Sequence, residues 1–135
     1  MNIRIIGVLL LLFCLAGCKE CDVPHGDANC QLPLYQYPNL STVGGYEYIV
    51  GGYQGVVVIR TSLNEYRAYE RTCPHDNGRL EISTDYGSSL LECPLCHSCY
   101  NVYSDGMPLE GSLSSCPPFQ YPTVCDGGTL YISNW

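Results

Sequence analysis

The chain has 135 residues and a formal net charge of −7, from thirteen acidic and six basic side chains. That balance gives nucleic-acid binding no electrostatic support, and the length allows one small core of the size at which disulfides or metals add needed stability. Ten cysteines and twelve tyrosines, against only three histidines, suggest a covalently or metal-stapled β domain with a half-wet surface.

The chain opens with Arg4, an apolar run from Ile5 to Ala16, and Ala16-Gly17 directly before Cys18. A run this short falls below the roughly 20 residues that span a bilayer, so residues 1–17 read as a cleaved export signal. Leu15-Ala16-Gly17-Cys18 resembles a bacterial lipobox, in which the cysteine is lipidated and becomes the first residue. The resemblance implies attachment to a membrane by lipid at Cys18, on the periplasmic side or at the cell surface of a bacterium. Without residues 1–17, five basic residues face the same thirteen carboxylates.

Residues 18–41 are rich in Pro, Asn and Asp and read as a lipidated linker, leaving 42–135 as the folded domain. His25, within the linker, reads as a solvated residue. Then follow "YEYIV", "GVVVIRTS", "YRAYERT", "LEIST", "SLLEC", "YNVYS" and "TLYIS", short and β-branched or aromatic, separated by clusters of Gly, Asn, Asp and Ser. No stretch keeps a helical period over three turns. The expectation is an all-β domain, an antiparallel sandwich or partly open barrel.

Besides Cys18, the exported chain carries Cys21, Cys30, Cys73, Cys93, Cys96, Cys99, Cys116 and Cys125. Four disulfides are the default for eight thiols in an exported protein. Their placement is uneven, however: Cys73 opens "CPHDNG" and Cys93 opens "CPLCHS", so two Cys-Pro loops offer a shared set of ligands.

Cys73-x-His75, seventeen residues, then Cys93-x-x-Cys96 resembles the Rieske pattern of Cys-x-His, fifteen to seventeen residues, Cys-x-x-His. "YNVYSDGMPLEGSL" and "YPTVCDGGTLYIS" resemble that family's aromatic strand with its Pro-Leu-x-Gly segment, and its closing hairpin. The resemblance implies a Rieske-like sandwich with two ligand loops at hairpin tips. It also implies a two-iron, two-sulfur cluster held by Cys73 and Cys93 on one iron and His75 on the other. Cys96 stands where the family has its second histidine, and His97 follows it where the family usually has glycine. A Cys-x-x-x turn curls its first and fourth residues toward one centre, which favours Cys96 over His97 as the remaining ligand. Ser98 and Tyr100 fall where family members carry hydroxyls that tune the cluster. Cys99 with Cys116 is the brace the resemblance suggests, and Cys21 with Cys30 is a local pairing open to the linker. For Cys125 a buried thiol and a bridge stay open.

What the resemblance implies is an electron carrier with an unknown redox partner protein, rather than an enzyme. A Rieske oxygenase needs a further mononuclear iron domain, for which the length leaves no room. Two rival readings remain: a Cys₃His zinc site on Cys73, His75, Cys93 and Cys96, and a clusterless Rieske-fold module with a binding or structural role. A thiol–disulfide oxidoreductase is disfavoured, because its dithiol normally opens a helix.

Overall fold

In the computed structural model, which describes residues 21–134, the run Val56-Val57-Val58-Ile59 is fully buried along its whole length. A strand that alternates sides with every residue can be apolar throughout only if both faces of its sheet are covered. The strands are β1 (Cys30–Pro33), β2 (Tyr46–Ile49), β3 (Val56–Ser62), β4 (Glu65–Glu70), β5 (Glu81–Ser83), β6 (Gly87–Glu92), β7 (Cys99–Asn101), β8 (Met107–Pro108), β9 (Gln120–Tyr121), β10 (Thr123–Asp126) and β11 (Thr129–Ile132). They form three sheets, ordered β2-β3-β4-β9, β1-β11-β10 and β5-β6-β7-β8, with antiparallel pairing throughout and no closed barrel.

The β2-β3-β4-β9 sheet lies between the other two. Val56, Val58 and Ala68 pack with Leu32, Leu130 and Ile132 of β1 and β11. Val57, Ile59 and Tyr69 pack with Ile82, Leu91 and Tyr100 from β5, β6 and β7. Each such aliphatic side chain contributes about 1.5–3 kcal/mol when fully buried. The Tyr69 hydroxyl donates to Val102 O at 2.8 Å, tying the layers where a 3-10 turn at Val102–Ser104 follows β7. The β10–β11 hairpin closes on Gly127 (φ 59°) and Gly128 (φ 80°), the pair of left-handed residues that a type I′ turn requires.

The expectation of a linker over 18–41 needs correction for its described part. Cys30–Pro33 forms β1 on the edge of its sheet, paired with β11, and Ala28, Leu32 and Leu40 are core residues. Proline is tolerated on such an edge, and Pro38 opens a 3-10 turn where its missing N–H costs nothing. His25 is exposed but stacks on Phe119, with ring centroids 3.7 Å apart. The export segment 1–17 and Cys18 lie outside the described residues.

Glu70 is the buried charge around which these segments close. Its Oε1 accepts from the backbone N–H of Tyr53 and of Gly26 (3.3 Å) and from the Tyr121 hydroxyl (3.1 Å). Oε2 accepts from Gln54 N–H (3.1 Å) and the Thr72 hydroxyl (2.9 Å). Gln54 in turn donates to Asn77 O at 2.7 Å, so the carboxylate supports the loop that follows Thr72. Glu70→Ala removes the acceptor from five donors, and the unpaired N–H and O–H groups should cost about 3 kcal/mol or more. Denaturant titration of the variant should show that loss as a lowered midpoint.

Candidate metal centre

Two loops of the same backbone shape meet at one end of the molecule. In the first, between β4 and β5, Cys73 N–H donates to Gly78 O (2.7 Å) and Asn77 N–H to Cys73 O (3.0 Å). In the second, at the β6–β7 hairpin tip, Cys93 N–H donates to Ser98 O (3.0 Å) and His97 N–H to Cys93 O (2.9 Å). Each has proline second and a left-handed residue fifth, Asn77 (φ 63°) and His97 (φ 60°). Asn and His are among the few non-glycine residues that adopt this conformation with any frequency. The first loop joins two sheets and is closed by an antiparallel bridge between Thr72 and Arg79, with Leu80 N–H donating to Arg71 O (2.6 Å), so both loops lie at the tips of antiparallel reversals as expected.

The turns aim their first and fourth residues at a common point. Donor atoms of Cys73, Asp76, Cys93 and Cys96 all lie within 4.8 Å of one another. Cys73 Sγ is 3.8 Å from Cys96 Sγ, and Cys93 Sγ is 3.3 Å from Asp76 Oδ1. Asp76 Oδ1 also accepts the Gly78 N–H at 2.9 Å. That bond and the facing thiols hold the carboxyl below the usual carboxylate range. Burial pushes the Cys73 and Cys93 thiols upward.

Hydroxyls back the sulfurs. The buried Tyr100 hydroxyl is 3.2 Å from Cys73 Sγ, and burial raises its pKa. Ser98 Oγ is 3.2 Å from Cys96 Sγ and accepts N–H bonds from Leu113 (3.0 Å) and Ser114 (3.3 Å). With both acceptor positions taken, its one proton is left to face a Cys96 thiolate. Ser98 thus joins the second loop to the segment 112–118.

That segment is braced differently from the expectation. Cys116 pairs with Cys21, so neither Cys99–Cys116 nor Cys21–Cys30 forms. Cys99 stays in the ladder opposite Glu92 with its thiol beside His97 O, and Ser112 does the tying there by accepting Cys99 N–H (3.0 Å) and donating to Cys99 O (3.2 Å). Cys30 is held in β1 against the core, and Cys125 is an exposed free thiol rather than a buried one or a bridge.

Of the ligands expected from sequence, Cys73, Cys93 and Cys96 come together. His75 is exposed and its ring nitrogens lie outside the group of four, whose place it yields to Asp76. His97 turns its ring to Glu92, Nδ1 to Oε1 3.6 Å, away from the sulfurs. The reading of the sequence missed Asp76, although laying "CPHDNG" over "CPLCHS" puts it opposite Cys96.

The donors fit a thiolate-held metal group. Soft thiolates select iron–sulfur clusters and zinc alike. The first loop leaves room beside them only because residue 78 is glycine: a Cβ there would come within 2.7 Å of Cys93 Sγ and 3.1 Å of Asp76 Oδ1. An all-β domain whose two Cys-Pro loops bring three thiols and a carboxyl within 4.8 Å of one another offers a donor set of the kind that loop-bound iron–sulfur and zinc centres use. The sequence matches the Rieske [2Fe-2S] domain over residues 18–118, and the chain belongs to that family. Among solved structures, the ferredoxin of carbazole 1,9a-dioxygenase from Nocardioides aromaticivorans IC177 shares the fold, with a TM-score of 0.54 at 21% identity, covering 78% of this chain and 97% of that one. No curated protein matches the chain.

Metal can bind the cysteines only as thiolates. With the Cys73 and Cys93 thiols raised by burial, both are protonated at neutral pH in the metal-free protein and must release protons on loading. Lowering the pH should therefore weaken loading, by at least on the order of 100-fold per unit for the two protons that Cys73 and Cys93 release. Competition titrations with cobalt(II) between pH 6 and 8 measure that slope.

Proposed function

We propose that the protein transfers single electrons through a two-iron, two-sulfur cluster held between its two Cys-Pro loops. The observation that carries this reading is the convergence of Cys73, Cys93 and Cys96, in a member of the Rieske family, on a point backed by Ser98 and Tyr100. When bound, such a cluster supplies a one-electron carrier that changes oxidation state without forming or breaking bonds to a substrate. The chain's own residues do the rest. Burial of Cys73 and Cys93 keeps water from the inner sulfurs. The hydroxyls of Ser98 and Tyr100 face Cys96 and Cys73, where they stabilise the more negative, reduced form and so raise the potential. Cys96 is half-buried and Leu95 is exposed beside it, so the second loop is the face through which a redox partner protein reaches the centre.

A second reading is supported by one distance. Around a single tetrahedral zinc with bonds of about 2.3 Å, neighbouring sulfurs stand about 3.8 Å apart. Cys73 and Cys96 have that separation, at 3.8 Å. On this reading the site is a structural zinc centre and the protein serves in binding or architecture.

The remainder of the proposal concerns location. The "LAGC" sequence supports lipidation at Cys18 and anchoring to a bacterial membrane on the periplasmic side or at the cell surface. The Cys21–Cys116 disulfide is consistent with an oxidising compartment.

Protein purified without oxygen should contain about two iron and two acid-labile sulfide per chain, with visible absorption that bleaches reversibly on reduction. One zinc with no sulfide would replace the electron-transfer reading with the structural one. Cys18→Ser should shift the protein from the membrane pellet to the soluble fraction or leave it unprocessed; retention in the pellet after alkaline washing would point to another anchor.

A further inference from the structure

We infer that Asp76, and not His75, is the fourth ligand of the centre, giving three thiolates and one carboxylate with no imidazole. The inference rests on there being a metal centre between the two loops, and it applies whether that centre is a cluster or a single ion.

Three observations lead to it. The first is the equivalence of the turns. Both loops make the same pair of backbone hydrogen bonds between their first, fifth and sixth residues, and both have a left-handed fifth residue. Positions of the two loops therefore correspond one to one. The fourth position, filled by Cys96 in the second loop, is filled by Asp76 in the first. The third position is Leu95 in one and His75 in the other, and both side chains are exposed. A turn that directs its third residue outward cannot bring His75 to the point where it brings Cys73 without a different backbone.

The second observation is the carboxylate itself. Asp76 Oδ1 is 3.3 Å from Cys93 Sγ and is held there by the Gly78 N–H at 2.9 Å. Oδ1 thus keeps its orientation without a metal, which lowers the ordering cost of ligation. The third is Gly78. A Cβ at this position would come 2.7 Å from Cys93 Sγ and press on Asp76 Oδ1 (3.1 Å) and Leu95 Cδ1 (3.2 Å), so the glycine leaves room for Cys93 Sγ and Asp76 Oδ1 to approach each other. Nothing comparable guides a ring of His75 inward.

The chemical consequence is a change of charge. Two thiolates and two neutral imidazoles carry two negative charges; three thiolates and a carboxylate carry four. More negative ligands favour the oxidised metal, and with no ligating imidazole there is no ring N–H whose proton loss accompanies oxidation. In a two-iron, two-sulfur cluster these ligands would lower the potential relative to a two-imidazole site, against the raising effect of the Ser98 and Tyr100 hydroxyls, and would leave it insensitive to pH near neutrality.

The test compares the intact protein with His75→Ala, Asp76→Ala and Asp76→Cys, each purified without oxygen and checked for the folded β signature by circular dichroism. Metal and sulfide per chain should be unchanged in His75→Ala, should fall severalfold in Asp76→Ala, and should return in Asp76→Cys, which supplies a thiolate at the same position. In an iron-loaded protein, pulsed electron paramagnetic resonance of the reduced state should show no strongly coupled imidazole nitrogen. Loss of metal in His75→Ala with retention in Asp76→Ala would overturn the inference, as would a strong nitrogen coupling that disappears in His75→Ala. Should Asp76→Ala fail to fold, metal content of His75→Ala and Asp76→Cys and the nitrogen coupling still decide. Protein with neither iron nor zinc in any form overturns the metal centre as a whole, a result distinct from a wrong fourth ligand.

Discussion

Burial of β3 on both faces is the constraint from which the rest of the molecule follows. A single two-layer sandwich would leave either Val56 and Val58 or Val57 and Ile59 in water. Covering both sides requires a second sheet on each, and the chain supplies them from different regions: its two ends on one side, its middle on the other. The side built from the middle also carries the centre, because the apolar cluster that contains Val57 and Ile59 continues without a break through Tyr69, Leu91 and Tyr100 to Cys73 and Cys93. The thiols are the end of the core rather than an addition to its surface. This placement raises the cost of a thiolate and so makes a bound metal, or a proton, obligatory there.

The division of labour between the loops follows from what holds each. The first hangs from Thr72 and Gln54, which reach Glu70, so its position is set by the middle sheet and by the amino-terminal segment. The second is a hairpin tip whose outer support is Ser98, joined to the backbone of Leu113 and Ser114. Through that serine, a movement of the segment 112–118 is felt at Cys96. Tyr100, fixed in β7 and fully buried, offers Cys73 a hydroxyl with no such freedom. One hydroxyl is thus rigid and the other mechanically linked to the surface.

Much of this was legible in the sequence. The longer strands announce themselves through β-branched runs between Gly and Asn/Asp turns. The two Cys-Pro loops stand out because proline after cysteine fixes the start of each turn. What escaped notice was written in pieces too short or too distant. β8 and β9 have two residues each, less than one period of alternation, and β1 lies among prolines that elsewhere mark linkers. The Cys21–Cys116 pairing spans 95 residues, so no local rule could select it from the alternatives. Asp76 was passed over because attention to residue type favoured the histidine beside it, while backbone geometry favours position over type.

The same disulfide sets an order of events for the maturing chain. An environment oxidising enough to join Cys21 to Cys116 is also one in which the free thiols of Cys73 and Cys96, 3.8 Å apart, can pair if an opening of the loops exposes them. Metal on those sulfurs protects them, since a ligated thiolate is withheld from exchange. The bridge itself closes a loop long enough to restrict the unfolded chain by about 4–5 kcal/mol in the chain-entropy account, and it fastens the segment that packs over the second loop. A metal arriving late would meet either oxidised ligands or a lid already tied down. For a metal-loaded form, ligation of sulfur at one end and oxidation of sulfur at the other are thus two chemistries of the same element, and ligation before oxidation is the order that keeps Cys73 and Cys96 available.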